Sequence, residues 1–196
     1  MRQNSAVVAL TGGIAEGKST VLGILREQGA QIVSADAIVR AMYDEPWVQD
    51  RLSDLTGLSS PIRPRDIAPM VLSNRPLLRR YGRIFHGPAI SAILDSGADV
   101  AEIPLLLETC GQEGFEEVWC VTCGREEQIR RLTARLADPG LVEGFLAAQL
   151  PTRIKEAFAD VIVRTDRPAE DVVFRVSQAW NLRVARAGKS CYTRVA

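Results

Sequence analysis

The chain has 196 residues, a length that suits one domain with a small insertion. Its 46% hydrophobic content is typical of a globular core, and its 24 basic and 24 acidic residues cancel, which disfavours nucleic acid or a membrane surface as a partner. It contains no run of about 18 apolar residues and no secretory-signal pattern, so we expect a cytoplasmic protein without a membrane span.

A phosphate-loop motif, G-x-x-x-x-G-K-[ST], occupies residues 12–19, between a predicted strand and a predicted helix. Its glycines let backbone N–H groups converge on phosphate oxygens, and the helix N-terminus favours negative charge. Lys18 would reach the β- and γ-phosphates, and Ser19 would supply a hydroxyl to Mg²⁺. The motif therefore predicts a nucleoside triphosphate site formed by Gly12, Gly13, Ile14, Ala15, Glu16, Gly17, Lys18, Ser19 and Thr20.

Apolar runs alternate with longer helix-period segments along the chain, which is typical of a parallel α/β sheet in a single domain, residues 1–196. The predicted strands mostly lack polar alternation, as expected of strands covered on both faces; they are 6–11, 31–34, 99–103, 117–122 and 160–163. The span 37–97 contains repeated proline and glycine breakers and is predicted to be several short helices that cover the acceptor substrate. A helical region at 125–158, interrupted at Asp138-Pro139-Gly140, is predicted to form a small lid.

Two acidic residues follow predicted strands at the carboxyl edge of the sheet, beside the phosphate loop. Asp36 can accept a proton from an acceptor hydroxyl or orient a Mg²⁺-bound water; the alternative is an N-cap for a helix beginning near Ala37. Glu102 stands where phosphate-loop proteins often carry a metal-facing acid, and the alternative is a surface residue at a strand end. Position in the sequence leaves both alternatives open.

Read together, these motifs resemble those of dephospho-CoA kinase, in the same order and at similar intervals from about residue 7 to residue 180. The segments that carry the resemblance are Leu10-Thr11-Gly12-Gly13-Ile14, Gly17-Lys18-Ser19-Thr20, Ala35-Asp36, Ile103-Pro104-Leu105-Leu106 with Glu108, Arg131 and Arg135, Gln149, and Ala159-Asp160. The resemblance implies a phosphate-loop kinase with a three-layer α/β/α architecture and a five-stranded parallel sheet.

The resemblance also implies transfer of the ATP γ-phosphate to the 3′-hydroxyl of dephospho-CoA, with Mg²⁺ as cofactor. Asp36 would be the general base or hydroxyl orienter, and Lys18 and Ser19 with Mg²⁺ would stabilise the moving phosphoryl group. Arg131 and Arg135 would be lid cations that close on the ATP phosphates, the alternative being a solvated helix face. The acceptor contacts implied are Asp36, His86, Glu102, Pro104 and Leu105.

The chain departs from the family pattern at several positions. Ala15 replaces a glycine, at little cost if its φ is negative, and Glu16 puts an acid beside phosphates, so we expect its side chain to point to solvent. His86 is separated from its proline by a glycine, which leaves a substrate contact or a turn residue open. Ser34 replaces an aspartate, and Arg164-Thr165-Asp166 stands where the family has an asparagine.

Two other functions stay open on the sequence. The chain could be another small phosphate-loop kinase acting on a nucleoside monophosphate or a different metabolite, or a nucleotide-binding regulatory protein without turnover. A dinucleotide-binding dehydrogenase is disfavoured because G-x-G-x-x-G is absent. The expected partners are therefore the small molecules ATP and dephospho-CoA, with the protein as a monomer or small homo-oligomer.

Overall fold

The structure, a computed structural model, describes residues 7–136 and 139–190. Five strands form one sheet in the spatial order β2-β3-β1-β4-β5. They are β1 (Val8–Gly12), β2 (Ile32–Ser34), β3 (Val100–Glu102), β4 (Glu117–Thr122) and β5 (Val161–Arg164). β1 pairs in parallel with β3 and β4, and β4 pairs in parallel with β5. The five predicted strands are confirmed, each with boundaries shifted by at most two residues.

The helices occur between and after these strands. They are α1 (Lys18–Glu27), α2 (Ala35–Met42), α3 (Pro46–Thr56), α4 (Pro64–Leu72), α5 (Arg75–Asp95), α6 (Arg125–Leu136), α7 (Pro139–Ala147), α8 (Thr152–Glu156) and α9 (Ala169–Ser190). A short 3₁₀ turn covers Gln112–Gly114. Asp138, in the predicted interruption of the lid region, lies outside the described residues, and Pro139 begins α7. None of the described helices is long and apolar enough to cross a membrane.

The backbone divides into two compact units. The first contains the sheet, and its core lies where α1 and α9 pack against each other, α1 against β1 and α9 against β5. Leu10, Leu25, Trp119 and Val176 are completely buried there. Every residue of β1 and nearly every residue of β4 is buried, as predicted for strands covered on both faces, whereas β5 exposes alternate residues.

The second unit, residues 34–96, consists of α2 to α5 around a core of its own. Tyr43 stacks on Phe85 with ring centroids 5.1 Å apart. The predicted short helices are present as α2, α3 and α4, but the prediction is wrong for α5, which runs for 21 residues. α5 continues through Pro88 because its buried face packs against α2, α3 and α4, which offsets the lost backbone hydrogen bond.

Candidate functional site

The phosphate loop joins β1 to α1 with two glycines that no other residue could replace without movement. A Cβ at Gly12, whose φ is +147°, would lie 2.4 Å from the carbonyl oxygen of Val121 on β4. A Cβ at Gly17, whose φ is +91°, would lie 2.8 Å from the Thr165 hydroxyl after β5. The two glycines therefore serve the close approach of neighbouring strands as well as the turn itself.

The mouth of the loop carries positive charge. α1 begins at Lys18 and has no acidic residue in its first turn, so nothing on the helix offsets the partial charge of its N-terminus. The Lys18 ammonium donates to the carbonyl oxygens of Gly12, at 3.2 Å, and Gly13, at 2.9 Å. Ser19 and Thr20 are exposed. These groups together can receive an anion.

Ala15 adopts a left-handed conformation, with φ of +62°. The sequence suggested a small penalty for alanine on condition that φ was negative, and that condition is not met. A Cβ in this region crowds the following carbonyl, at a cost of about 1–2 kcal/mol. The loop therefore carries backbone strain at the position where the family pattern has glycine.

The Glu16 side chain is buried, and the expectation that it points to solvent is wrong. Only 1% of its surface is exposed. Its Oε2 accepts hydrogen bonds from the Gly13 N–H, at 2.6 Å, and from the Thr152 hydroxyl on α8, at 2.8 Å. Burial raises the pKa of Glu16, against the lowering effect of these hydrogen bonds and of Lys18. The two donors therefore replace part, but not all, of the hydration that the carboxylate loses on burial.

Side chains from three other parts of the fold bind further backbone groups of the loop, at Ile14 and Glu16. The Ile14 N–H donates to Gln149 Oε1 at 2.9 Å, and Gln128 Nε2 donates to the Ile14 carbonyl at 3.1 Å. The Thr165 hydroxyl donates to the Glu16 carbonyl at 2.7 Å. Sequence reasoning gave Gln128 and Thr165 no role, because neither belongs to a motif. Thr165 belongs to the segment Arg164-Thr165-Asp166, which stands where the family pattern has an asparagine.

Arg131 contacts Thr165, one of the residues that bind the phosphate loop, and is therefore not a fully solvated residue. Its guanidinium donates to the Thr165 hydroxyl at 3.0 Å and to the Thr165 carbonyl at 2.7 Å, and its side chain is 29% exposed. Its Nε also donates to Glu127 at 2.6 Å. Hydrogen bonds from Arg130 and Arg131 lower the pKa of Glu127 to about 2. Arg135 is exposed one turn further along α6.

Glu102 lies at the carboxyl end of β3, in register with Leu10 of β1. Leu10 is two residues before Gly12, so Glu102 and the start of the phosphate loop lie at the same edge of the sheet. The Glu102 side chain is half-buried. This position fits a metal-facing acid or a strand-end residue equally, so the two alternatives stay open.

A buried lysine on α8 binds the segment 103–108, which follows β3. No sequence motif had indicated a role for this lysine. Lys155, completely buried on α8, donates to the Pro104 carbonyl at 2.7 Å and pairs with Glu108 at 2.9 Å. The same Glu108 oxygen accepts from the Leu150 N–H at 2.9 Å. Leu105, between these anchors, is 43% exposed. Pro104 and Glu108 thus hold the segment, while Leu105 is open to contact.

Asp36 and His86 belong to the helical unit. α2 begins at Ala35 with Ser34 in the N-cap position, so Asp36 lies inside the first turn and the N-cap alternative is wrong. Its side chain is exposed. His86 lies within α5, so the turn alternative is wrong as well. Its ring packs against Gly82, where a Cβ would lie 2.8 Å from Cε1, and partial burial lowers the pKa of the imidazole.

Comparison with known proteins gives a consistent result. A family model described as dephospho-CoA kinase matches residues 6–53 and 83–171. A dephospho-CoA kinase of Geobacter metallireducens is 31% identical in an alignment that covers 92% of this chain and 98% of the relative. A dephospho-CoA kinase of Carboxydothermus hydrogenoformans is 32% identical, with 89% of this chain and 94% of the relative covered.

Solved structures agree on the fold. A protein from Thermus thermophilus superposes with a TM-score of 0.79 at 22% identity, with 92% of this chain and 98% of the other covered. Dephospho-CoA kinase from Campylobacter jejuni gives a TM-score of 0.65 at 21% identity, with coverages of 89% and 95%. These similarities establish a phosphate-loop α/β fold like that of small kinases.

Proposed function

The chain belongs to the dephospho-CoA kinase family, and we propose that it transfers the γ-phosphoryl group of ATP to the 3′-hydroxyl of dephospho-CoA to form coenzyme A. The observation that carries this proposal is the extent of the family match, which includes the phosphate loop, Asp36 and the segment 103–108 in one alignment. A phosphate loop alone is shared by kinases with many acceptors.

On the donor side, we assign the triphosphate to the loop of residues 12–20. The Lys18 ammonium donates to two loop carbonyls. A rotation of its side chain would let it donate to the oxygens of the β- and γ-phosphates instead. Arg131 would place its fixed charge near the phosphates, supported by its contacts with Thr165. Arg135, exposed one turn away, would be the second lid cation that excludes water from the transfer.

Mg²⁺ fits the oxygen donors at this edge of the sheet. Ser19 presents an exposed hydroxyl in the first turn of α1, and Glu102 presents a carboxylate at the end of β3; both are hard ligands of the kind Mg²⁺ prefers. The described residues contain no group of three or more acidic, histidine or cysteine side chains able to hold a metal alone. This suits an ion held mainly by phosphates and water. When bound, Mg²⁺ would stabilise charge on the phosphoryl oxygens.

On the acceptor side, we assign Asp36 as the general base. Its carboxylate is exposed and has no capping role, so it is available to take the proton of the 3′-hydroxyl as that oxygen attacks phosphorus. We further assign acceptor contacts to His86, Glu102, Pro104 and Leu105. Exposed Leu105 would offer apolar surface to the acceptor, while Pro104 is anchored through its carbonyl.

An acceptor panel tests the proposal. The purified protein is incubated with ATP and Mg²⁺, and with dephospho-CoA, AMP, CMP or no acceptor, and products are identified by mass spectrometry and ³¹P NMR. We expect ADP and 3′-phosphorylated product with dephospho-CoA alone. Phosphorylation of a nucleoside monophosphate in place of dephospho-CoA would identify a different kinase. ATP binding without any phosphorylated product would identify a regulatory protein.

A further inference from the structure

Thr165, the first residue after β5, lies where the sheet, the phosphate loop and α6 meet. Its backbone N–H donates to the Thr122 carbonyl at the end of β4, at 2.8 Å. Its side chain lies so close to the loop that a Cβ at Gly17 would be 2.8 Å from the hydroxyl oxygen and 3.0 Å from both the Cβ and the methyl carbon. The sheet therefore fixes the backbone of Thr165, and the loop limits where its side chain can lie.

The chemistry of its two partners sets the direction of the hydrogen bonds at the Thr165 hydroxyl. A guanidinium group can only donate, and a carbonyl oxygen can only accept. The hydroxyl therefore accepts from Arg131 Nη1 at 3.0 Å and donates its single proton to the Glu16 carbonyl at 2.7 Å. Only a side chain that is both donor and acceptor can make these two bonds together, so a valine of nearly the same shape would make neither.

The bond to Glu16 also bears on a phosphate-binding group of the loop. The Glu16 carbonyl and the Gly17 N–H belong to one planar trans peptide unit, so they point in opposite directions. Because the carbonyl is held toward Thr165, the Gly17 N–H is directed to the opposite side of the peptide. Gly17 immediately precedes α1, and backbone N–H groups at such a position receive phosphate oxygens. The Thr165 hydroxyl thus fixes the orientation of one of these donors.

Thr165 also sets the plane of the Arg131 guanidinium. Nη1 donates to the hydroxyl and Nη2 donates to the Thr165 carbonyl at 2.7 Å, so two nitrogens of one planar group bind a single residue. Together with the bond from Nε to Glu127, these bonds use three of the five guanidinium N–H groups. The other two, one on each Nη, can then donate to phosphate oxygens in a direction that Thr165 determines.

We propose that Thr165 is a positioning residue for phosphoryl transfer, which orients the Gly17 N–H through the Glu16 carbonyl and orients Arg131 through two hydrogen bonds. The inference rests on the proposed function, because it takes the phosphate loop as the donor site. Thr165 itself contacts no reacting atom and acts only through these two groups. One hydroxyl therefore serves both the affinity of the loop for phosphates and the stabilisation of the moving phosphoryl group.

Thr165→Val tests the proposal, because it nearly preserves the shape of the side chain and removes the hydroxyl. Calorimetry of ADP binding with Mg²⁺ reports on the phosphate loop without any acceptor substrate. We expect ADP affinity to fall by roughly 3- to 10-fold, as for the loss of one or two hydrogen bonds. With ATP and dephospho-CoA, kcat should fall by a similar factor. Thr165→Ser keeps the hydroxyl and should restore most of the ADP affinity and most of kcat.

An Arg131→Ala background separates positioning from a general structural effect. There, adding Thr165→Val should lower kcat by less than about twofold, because no guanidinium is left to orient, while the loss of ADP affinity should persist. Thr133→Val, at an exposed position on α6, is the matched control and should change neither quantity. Circular dichroism verifies that each variant is folded.

Two results would overturn the proposal: wild-type ADP affinity in Thr165→Val, or equal losses of kcat from Thr165→Val with and without Arg131. A wild-type protein that binds ADP but does not phosphorylate dephospho-CoA would contradict the proposed acceptor instead. In that case the ADP measurements, which need no acceptor, would still decide whether Thr165 positions the phosphate loop.

Discussion

The Glu16 carboxylate accepts a hydrogen bond from the Gly13 N–H at 2.6 Å, so an acidic side chain of the phosphate loop binds a backbone N–H group of the same loop. The same oxygen accepts from Thr152, which fixes the loop to α8. An acid in this loop is therefore compatible with triphosphate binding, because its charge is directed into the protein framework and away from the exposed Ser19 and Thr20.

Glu16→Gln should make stability less dependent on pH. Burial raises the Glu16 pKa above its ordinary value of 4.5, so the folded protein holds this proton more tightly than the unfolded chain. The stabilisation from the proton is complete below pH 4.5 and is lost as pH rises through the folded-state pKa. Relative to wild type, Glu16→Gln should thus become more stable as pH increases across this window.

Urea unfolding of both proteins at half-unit steps from pH 4 to pH 8 measures this difference. Glu27→Gln is the control, because Glu27 is exposed at the end of α1. A constant stability difference between wild type and Glu16→Gln would contradict the raised pKa.

Ala15→Gly should stabilise the protein. Glycine removes roughly 1–2 kcal/mol of left-handed strain, and its larger unfolded-state entropy offsets part of this, leaving a gain of about 0.5–1 kcal/mol. Thermal and urea unfolding measure the gain. Ala37→Gly, in the exposed part of α2, should instead destabilise the protein, since a helical alanine is already unstrained. Similar effects of both substitutions would argue against strain at Ala15.

Arg131→Ala should lower kcat by roughly 10- to 100-fold through lost charge stabilisation of the moving phosphoryl group. It should also reduce stability, because Thr165 loses two hydrogen bonds. Steady-state kinetics and urea unfolding measure the two effects. Arg131→Lys keeps the positive charge but lacks the planar guanidinium with its paired donors, so it should recover only part of kcat and part of the stability. Arg130→Ala is the matched control, since Arg130 is 71% exposed and, within the described part of the chain, its side-chain hydrogen bonds go to Glu127. Equal effects of Arg130→Ala and Arg131→Ala would contradict the assignment.

Lys155→Met should destabilise the protein by about 3–5 kcal/mol, because it leaves Glu108 as a largely buried carboxylate without its cation. Adding Glu108→Leu should recover part of that loss by removing the charge left behind. Urea unfolding of the single and double variants measures the recovery. Arg153→Met, an exposed position on the same helix, should change stability little. A double variant no more stable than Lys155→Met would show that the pairing is unimportant.

Asp36→Asn should lower kcat by roughly 10²- to 10⁴-fold while stability stays near the wild-type value. The amide cannot accept the proton, and the exposed side chain has no capping bond to lose. Stopped-flow or coupled assays with dephospho-CoA measure kcat and KM separately. Asp44→Asn, another exposed position in the helical unit, serves as the control. Unchanged turnover in Asp36→Asn would exclude the general-base assignment.

The sheet was predictable because each strand is a local apolar run bounded by breakers, and the phosphate loop because its residues are contiguous. Helix boundaries were harder to predict from the sequence. The start of α2 at Ala35 and the continuation of α5 through Pro88 depend on packing between helices, which a short stretch of sequence does not show. The burial of Glu16 was missed for the same reason, since its partner Thr152 is 136 residues away. The paired burial of Lys155 and Glu108 likewise has no local signature.

The residues between α7 and the end of α8 anchor two otherwise separate segments. Gln149 and Thr152 bind the phosphate loop, while Leu150 and Lys155 bind the segment after β3. These four contacts alternate along one short stretch of backbone, so the phosphate loop and the segment that contains Leu105 share a single structural support outside the sheet.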